Sequence, residues 1–588
     1  MVYRSRTFLA LLLITILALS GGCRPYNQPA VPAGSLSLTQ SSLSPSPVTL
    51  MPESSVTLLP ESSKTPVPLV EATLSAMSLE QKIGQTMLIG FDGLSVDDDL
   101  RQLISENHIG GVILFSRNIE SPAQVARLTN EIQRIALESG NPGLFVAVDQ
   151  EGGRVARLTL DTGFTEFPGA MAVAATGDPE NAYRVATAMA VEMRAVGINA
   201  DFAPDLDVNN NPSNPVIGIR SFSSDPQTVV EYGLAFARGL QENGVLAFGK
   251  HFPGHGDTGV DSHIALPLVP YDRARLNQIE LVPFRAAIAA DIAGIMSAHV
   301  TFPAIDPTPG LAATLSRPVL TGLLRQELGY NGLIVTDSLE MGALAANGYP
   351  PQVGAPMAQA AGADLLLFNR DYAMHRETYA NLLQAARDGK VSMEQLDASV
   401  LRILKAKERF ALLRPTLVDP DGVAGFVKTP EHLALAQMLS ERSMTLVRDL
   451  QHVLPLSQDK PVLIVETSPL RGLTGDLVPG GTIMEVDAQP TAGQIADVLQ
   501  AAADLRPVVV GVNDLDQNPK QVKLIKELLE AGNPVIAIAF RNPFDARLLP
   551  DEVSVLVTYG FNWPVRQALS DVLTGKAQAP GVLPVTFP

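Results

Sequence analysis

The chain has 588 residues, 46% of them hydrophobic and 18% charged, with a formal net charge of −18. That length allows about two to four domains with sizeable apolar cores, and so acidic a surface repels polyphosphates, which argues against nucleic acid as a partner. The single cysteine, Cys23, excludes an intramolecular disulfide and a cysteine-based zinc site.

In chain order, the first 22 residues read as a signal peptide. Arg4 and Arg6 supply a positive start, and Phe8 to Leu19 is an apolar run of about a dozen residues, short of the ~20 that a spanning helix needs. Leu19-Ser20-Gly21-Gly22-Cys23 then resembles a bacterial lipobox, with Leu one place further from Cys than usual. Cleavage would leave Cys23 lipidated and the chain extracytoplasmic, anchored to the cell envelope; an ordinary signal peptide with an incidental cysteine is the alternative. No later segment is long and apolar enough to cross a bilayer. Residues 24–70 are rich in Ser, Thr and Pro, and Pro52-Glu53-Ser54-Ser55 recurs as Pro60-Glu61-Ser62-Ser63. Such composition buries too little surface to offset chain entropy, so 23–71 is expected to be a tether.

Folding is expected to begin near Ser78, where Ser78-Leu79-Glu80-Gln81 has the capping-box pattern. Eight short apolar runs follow, separated by helical patterns: Thr86–Phe91, Gly111–Phe115, Leu144–Val148, Ile198–Ala203, Val245–Gly249, Gly294–Ala298, Gly332–Thr336 and Asp364–Phe368. Continuous apolar strands alternating with helices imply a parallel sheet covered on both faces, and eight repeats imply a (β/α)8 barrel over 72–414. Polar clusters close nearly every run, among them Asp92, Arg117-Asn118, Asp149-Gln150-Glu151, Asp205 with Asp207, Lys250-His251, His299, Asp337 and Asn369-Arg370. That rim is where barrel enzymes place their chemistry. After a Pro-punctuated linker at 415–429, residues 430–588 show strands at Val462–Val465, Val508–Val512, Val535–Phe540 and Val553–Thr558. Helices are expected at Gln494–Leu505, Lys520–Glu530 and Val565–Leu573, giving a smaller doubly wound α/β sandwich. Neither part has a glycine-rich phosphate-binding motif, so no nucleotide cofactor is expected.

Three stretches carry chemistry. Lys250 to His263 places three of the eight histidines within thirteen residues, in a loop after the fifth strand. It reads as a proton-transfer pair, with Asp261 orienting His263. A metal site and a non-catalytic structured loop remain as plainer readings; the histidines lack HExxH spacing. Gly332 to Met341 ends a buried strand in Asp337, either a nucleophilic carboxylate or a cap for the next helix. Asp149 to Arg157 pairs carboxylate with guanidinium, suited to gripping sugar hydroxyls but also common as a structural pair.

These stretches resemble glycoside hydrolase family 3, in particular its β-N-acetylglucosaminidase branch, over about 78–588. Lys250–His263 looks like the motif of that branch, and Thr336-Asp337-Ser338-Leu339-Glu340-Met341 like the family's nucleophile motif. Asn214 to Phe222, Ala313-Thr314-Leu315-Ser316, Arg541-Asn542-Pro543-Phe544-Asp545 and Gly581 to Val585 are similar to further family segments. The resemblance implies a retaining, metal- and cofactor-independent exo-glycosidase acting on terminal N-acetylglucosamine of cell-wall fragments or chitooligosaccharides. In it Asp337 would be the nucleophile and His263 with Asp261 the acid/base. Asp149, Arg157, Arg220, Lys250 and His251 would bind the terminal sugar. His255 and His299 either line the pocket or are structural. Because imidazole adds no negative charge near the nucleophile, phosphorolysis beside hydrolysis is a secondary expectation. The rival functions are a β-glucosidase or β-xylosidase of the same fold and a non-catalytic sugar-binding envelope lipoprotein.

Overall fold

The apolar runs become eight strands: β1 (Met87–Ile89), β2 (Gly111–Leu114), β3 (Phe145–Val148), β4 (Ala200–Asp201), β5 (Leu246–Phe252), β6 (Gly294–Ser297), β7 (Leu333–Thr336) and β8 (Leu366–Phe368). Their order is β7-β6-β5-β4-β3-β2-β1-β8 with parallel pairing throughout, and a lone parallel bridge between Val335 and Leu365 joins the two ends. This is the expected (β/α)8 barrel. The computed structural model describes residues 69–261, 265–457, 459–468, 477–504 and 506–587. The expected signal peptide, Cys23, the tether before residue 69, His263 and Leu505 lie outside the described residues.

Alternation along each strand sorts side chains into two cores. Phe145 and Ala147 of β3 join Leu88, Phe202, Phe248 and Leu367 inside the barrel. Val146 and Val148 face the helical sheath with Ile132, Val185 and Met193. Order begins earlier than the sequence reading placed it: the helix Leu69–Ala76 precedes Ser78, because Val70 buries 99% of itself against the sheath and Glu71 reaches within 4.0 Å of Lys405. The capping box forms as expected, Gln81 N–H donating to Ser78 Oγ (3.2 Å) and Ser78 N–H to Gln81 Oε1 (3.0 Å).

The barrel floor is closed by the helix Met393–Arg409, whose Ile403 enters the interior core. Lys407 of this helix is fully buried; its ammonium donates to Gln85 Oε1 (2.7 Å) and sits 5.1 Å from the Phe145 ring centroid. Burial pushes its pKa down to about 7. The folded pKa lies below the unfolded one, so the full cost is present below pH 7 and is relieved as pH rises toward the unfolded value. Lys407→Met should therefore raise the melting temperature by about 2–4 °C at pH 6, and by less at pH 9. Calorimetry at both pH values checks it; an equal or inverted difference refutes it.

The second sheet contains β9 (Thr445–Arg448), β10 (Leu463–Thr467), β11 (Thr482–Val486), β12 (Val508–Val512), β13 (Val535–Ala539) and β14 (Ser554–Val557), in the order β11-β10-β12-β13-β14-β9. All neighbours are parallel except β9, which runs antiparallel to β14. Cores on both faces make it the expected α/β sandwich. The four central strands are those read from sequence. The two edge strands, β9 and β11, are not, because an edge strand faces solvent in part and carries polar residues such as Arg448 and Glu485.

The two sheets are pinned together beside the barrel rim. Met171, Ala172, Ala175 and Ile219 from the barrel side pack in the sandwich's core. Asn542 Nδ2 donates to Pro212 O (2.9 Å), Ser213 Oγ to Asp516 Oδ2 (3.2 Å), and Val582 N to Ala175 O (2.8 Å). The C-terminal segments around 541–545 and 581–585 thus brace the loop that carries Arg220.

Candidate active site

Carboxylates and cations from the ends of β3, β4 and β5 meet at the C-terminal rim. After β3, Gly152 and Gly153 have positive φ (84° and 55°), and a Cβ on Gly152 would meet Pro168 O at 2.7 Å. This turn folds Glu151 inward while Asp149 stays partly accessible. Lys250, on β5, is 98% buried and reaches both acids: Nζ is 3.1 Å from Asp149 Oδ1 and 2.6 Å from Glu151 Oε1. Arg220 grips Glu151 with two hydrogen bonds, Nε to Oε2 (2.9 Å) and Nη2 to Oε1 (2.8 Å). Arg157 Nη2 lies 3.3 Å from Asp149 Oδ2. Burial would raise the Glu151 carboxyl, but Arg220 and Lys250 outweigh it and hold the group ionised far below its ordinary range. Burial likewise works against the charge on Lys250, yet Glu151 and then Asp149 hold its pKa above the ordinary value.

A second layer supports the first. Asp207 accepts from His251 Nδ1 at 2.7 Å and from the His255 backbone N–H. Burial would raise its carboxyl; the two imidazoles and that N–H hold it down. Asp205 and Asp201 are pushed well above the ordinary carboxylate range, by burial first. The β4 and β5 loops touch so closely that a Cβ on Gly256 would sit 1.9 Å from Val208 O. Asn214 locks them, donating to His255 O (3.0 Å) and Gly256 O (2.8 Å).

The structure gives His255 and His299 supporting places. His255 is 1% exposed, with Nδ1 on Thr258 Oγ1 (2.9 Å), and burial, then the neighbouring His251, pushes its pKa down to about 4. His299 is fully buried, bridging Thr314 Oγ1 and Ser338 O at 2.9 Å each. It thereby fixes the backbone just after Asp337. Asp337 itself lies at the end of β7, anchored by its N–H on Ser297 O (3.2 Å) and partly exposed. It does not cap the next helix, Gly342–Ala346, whose N-cap is Met341. Since β7 and β3 are four places apart in the eight-membered ring, Asp337 stands across the mouth from Asp149 and Glu151.

Asp149, Arg157, Arg220, Lys250 and His251 are thus brought into one cluster. Arg220 and Lys250 are largely consumed by Glu151, so Asp149 and Arg157 offer the more accessible polar atoms. Glu151, in the sequence one rim carboxylate among several, is the hub, paired with both Arg220 and Lys250. Asp205, Asp207 and His251 present ligand atoms within 4.8 Å of one another, a set a metal ion could use. Arg220 Nη2 lies 3.3 Å from His251 Nε2 and 3.8 Å from Asp205 Oδ2, so a dication there would face a guanidinium. The donor set fits a hydrogen-bonded support better than a metal.

Residues 78–406 match the model of the glycosyl hydrolase family 3 N-terminal domain. A β-hexosaminidase A of Pseudoalteromonas piscicida is 35% identical over 548 residues, 83% of this chain and 91% of that protein. A β-N-acetylglucosaminidase/β-glucosidase of Cellulomonas fimi is 29% identical, covering 88% and 95%. The structure of a family 3 β-N-acetylglucosaminidase from Paenibacillus sp. superposes with a TM-score of 0.81 at 42% identity, over 87% of this chain and 99% of that one.

Proposed function

The chain belongs to glycosyl hydrolase family 3 and is a glycoside hydrolase, and from that premise we propose that it is a retaining exo-β-N-acetylglucosaminidase. The observation that carries this reading is the placement of Asp337 at the end of β7, across the mouth from Asp149 and Glu151, with the loop from Lys250 to Asp261 between them in the ring. Asp149, Arg157, Arg220, Lys250 and His251 hold the terminal sugar. Asp337 attacks the anomeric carbon and forms a glycosyl-enzyme. His263, oriented by Asp261, protonates the departing oxygen and then takes a proton from water. An imidazole with a reference pKa of ~6.5 serves both steps near neutrality. The similarity to a β-hexosaminidase A and to β-N-acetylglucosaminidases supports the sugar assignment. Export and anchoring through Cys23 would bring the enzyme to N-acetylglucosamine-containing polymers outside the cytoplasm. No helix among the described residues is long and apolar enough to cross a membrane.

Initial rates on p-nitrophenyl β-N-acetylglucosaminide and β-glucoside should differ by about 100-fold or more in favour of the N-acetyl sugar. A preference for the glucoside moves the enzyme to the rival activity. His263→Ala should cost about 10–100-fold on p-nitrophenyl substrates, whose leaving group needs little protonation, and about 10⁴-fold on sugar–sugar bonds. Equal losses on both would remove His263 from the acid/base role. Glycosyl phosphate formed when phosphate is added would mark phosphorolysis beside hydrolysis.

A further inference from the structure

The segment Ser297-Ala298-His299 closes β6 and touches the loop of Asp337 at two points. Ser297 O accepts the Asp337 N–H (3.2 Å), and His299 Nε2 lies 2.9 Å from Ser338 O. Between these points the Ser338 N–H donates to Asp337 Oδ1 at 2.7 Å. The first contact is backbone to backbone; the second depends on one imidazole. That ring has a built support. Thr314, on the short turn Ala313–Leu315, places Oγ1 2.9 Å from His299 Nδ1, 3.0 Å from Ser297 Oγ and 2.9 Å from Ala298 O. Ser297, His299 and Thr314 are all fully buried, where bulk water does not compete for their hydrogen bonds. The turn itself is held by the Ala313 N–H on Val300 O (2.8 Å) and the Thr314 N–H on Ala298 O (3.2 Å).

Donors and acceptors leave the chain one direction around a neutral ring. Carbonyl oxygens only accept, so His299 Nε2 carries the proton that faces Ser338 O. Nδ1 is then an acceptor, and the donor opposite it is the Thr314 hydroxyl. Ala298 O releases that hydroxyl but keeps the Thr314 N–H, and Ser297 Oγ–H donates to Thr314 Oγ1. The relay runs from Ser297 through Thr314 and His299 to Ser338 O. We infer that His299 is a positioning residue for the nucleophile. Held as its Nε2–H tautomer by Thr314, it fixes the Ser338 carbonyl, and with it the neighbouring N–H that sets the Asp337 carboxylate for attack on the anomeric carbon. The inference rests on Asp337 as the nucleophile of the proposed function. The terminal sugar is gripped by residues around β3 to β5, across the mouth, so a misplaced nucleophile slows attack and leaves sugar binding alone.

Trapping the glycosyl-enzyme separates the rate of attack from the amount of competent protein. A 5-fluoro N-acetylglucosaminyl fluoride forms a slowly hydrolysed intermediate that mass spectrometry counts on the full chain and peptide mapping locates. One label per native molecule, on Asp337, is expected. His299→Ala should reach the same stoichiometry about 10²-fold more slowly, with kcat on p-nitrophenyl β-N-acetylglucosaminide down by a similar factor and KM within about threefold. His299→Gln, whose amide can donate to Ser338 O, should recover about tenfold of that loss. Thr314→Val, which takes the donor from Nδ1, should slow trapping about tenfold, and Thr314→Ser should restore it. The threonine pair and His299→Gln carry the test if His299→Ala does not fold. Trapping at the native rate in His299→Ala or Thr314→Val overturns the inference. So does a lowered stoichiometry with an unchanged rate, the mark of a purely structural histidine. A native chain that is not labelled, or is labelled at a residue other than Asp337, fails the functional reading itself, and this inference with it.

Discussion

Replacing Asp337 by alanine is expected to lower kcat/KM about 10⁴-fold, or about 5.5 kcal/mol of transition-state stabilisation. The fold should be little changed: Asp337 is partly exposed, its N–H bond to Ser297 O is a backbone contact that alanine keeps, its carboxylate accepts a local bond from the Ser338 N–H (2.7 Å), and it caps no helix. The melting temperature should therefore stay within about 2 °C of the native one. Adding azide to Asp337→Ala should restore part of the rate, because a small anion can enter the space left by the carboxylate. The sugar azide formed should have the α-configuration, the mark of a missing nucleophile on the face opposite the leaving group. Activity within tenfold of native, or a β-azide, would mean that another residue forms the covalent intermediate.

Glu151→Ala should be the more disruptive change overall. Its carboxylate is the common partner of two buried cations, 2.6 Å from Lys250 and 2.8 Å from Arg220. Removing it strands positive charge where water cannot reach, at a cost of about 3–5 kcal/mol in stability. Asp205 Oδ2, 3.8 Å from Arg220 Nη2, remains beside that guanidinium and returns part of the loss. The sugar-binding cations would also shift, lowering kcat/KM about 10²–10³-fold, chiefly through KM. The pH dependence has a definite sign. Glu151's folded pKa is depressed, so its contribution is complete above the unfolded carboxylate range and is lost as pH falls below it. The stability gap between native and Glu151→Ala should thus be full at pH 7 and narrow below about pH 4. A thermal melt series over that range is the check. Glu151→Gln, which keeps the shape and one acceptor, separates charge from packing. A variant as stable and active as the native protein would show that Asp149 alone holds both cations.

The amino-acid sequence by itself determined the architecture. Eight buried apolar runs with intervening helical patterns can pack only with both faces covered, and the same logic gave the four central strands of the sandwich. The capping box at Ser78 and the aspartate ending β7 were equally plain, because each depends on a few neighbouring residues. The rest needed the tertiary structure. Lys250 pairs with Asp149 across 101 positions and Arg220 with Glu151 across 69, and no local pattern reveals which of several rim carboxylates becomes the hub. Only the turn imposed by Gly152 and Gly153, which swings Glu151 inward, decides it. Likewise His255 and His299 were ambiguous as residue types and became supports once Thr258, Thr314 and Ser338 O filled their hydrogen bonds. The edge strands β9 and β11 are not legible in the sequence for the same reason. Each is defined by a partner far along the chain, and burial, which turns residue types into roles, is a property of the packed whole.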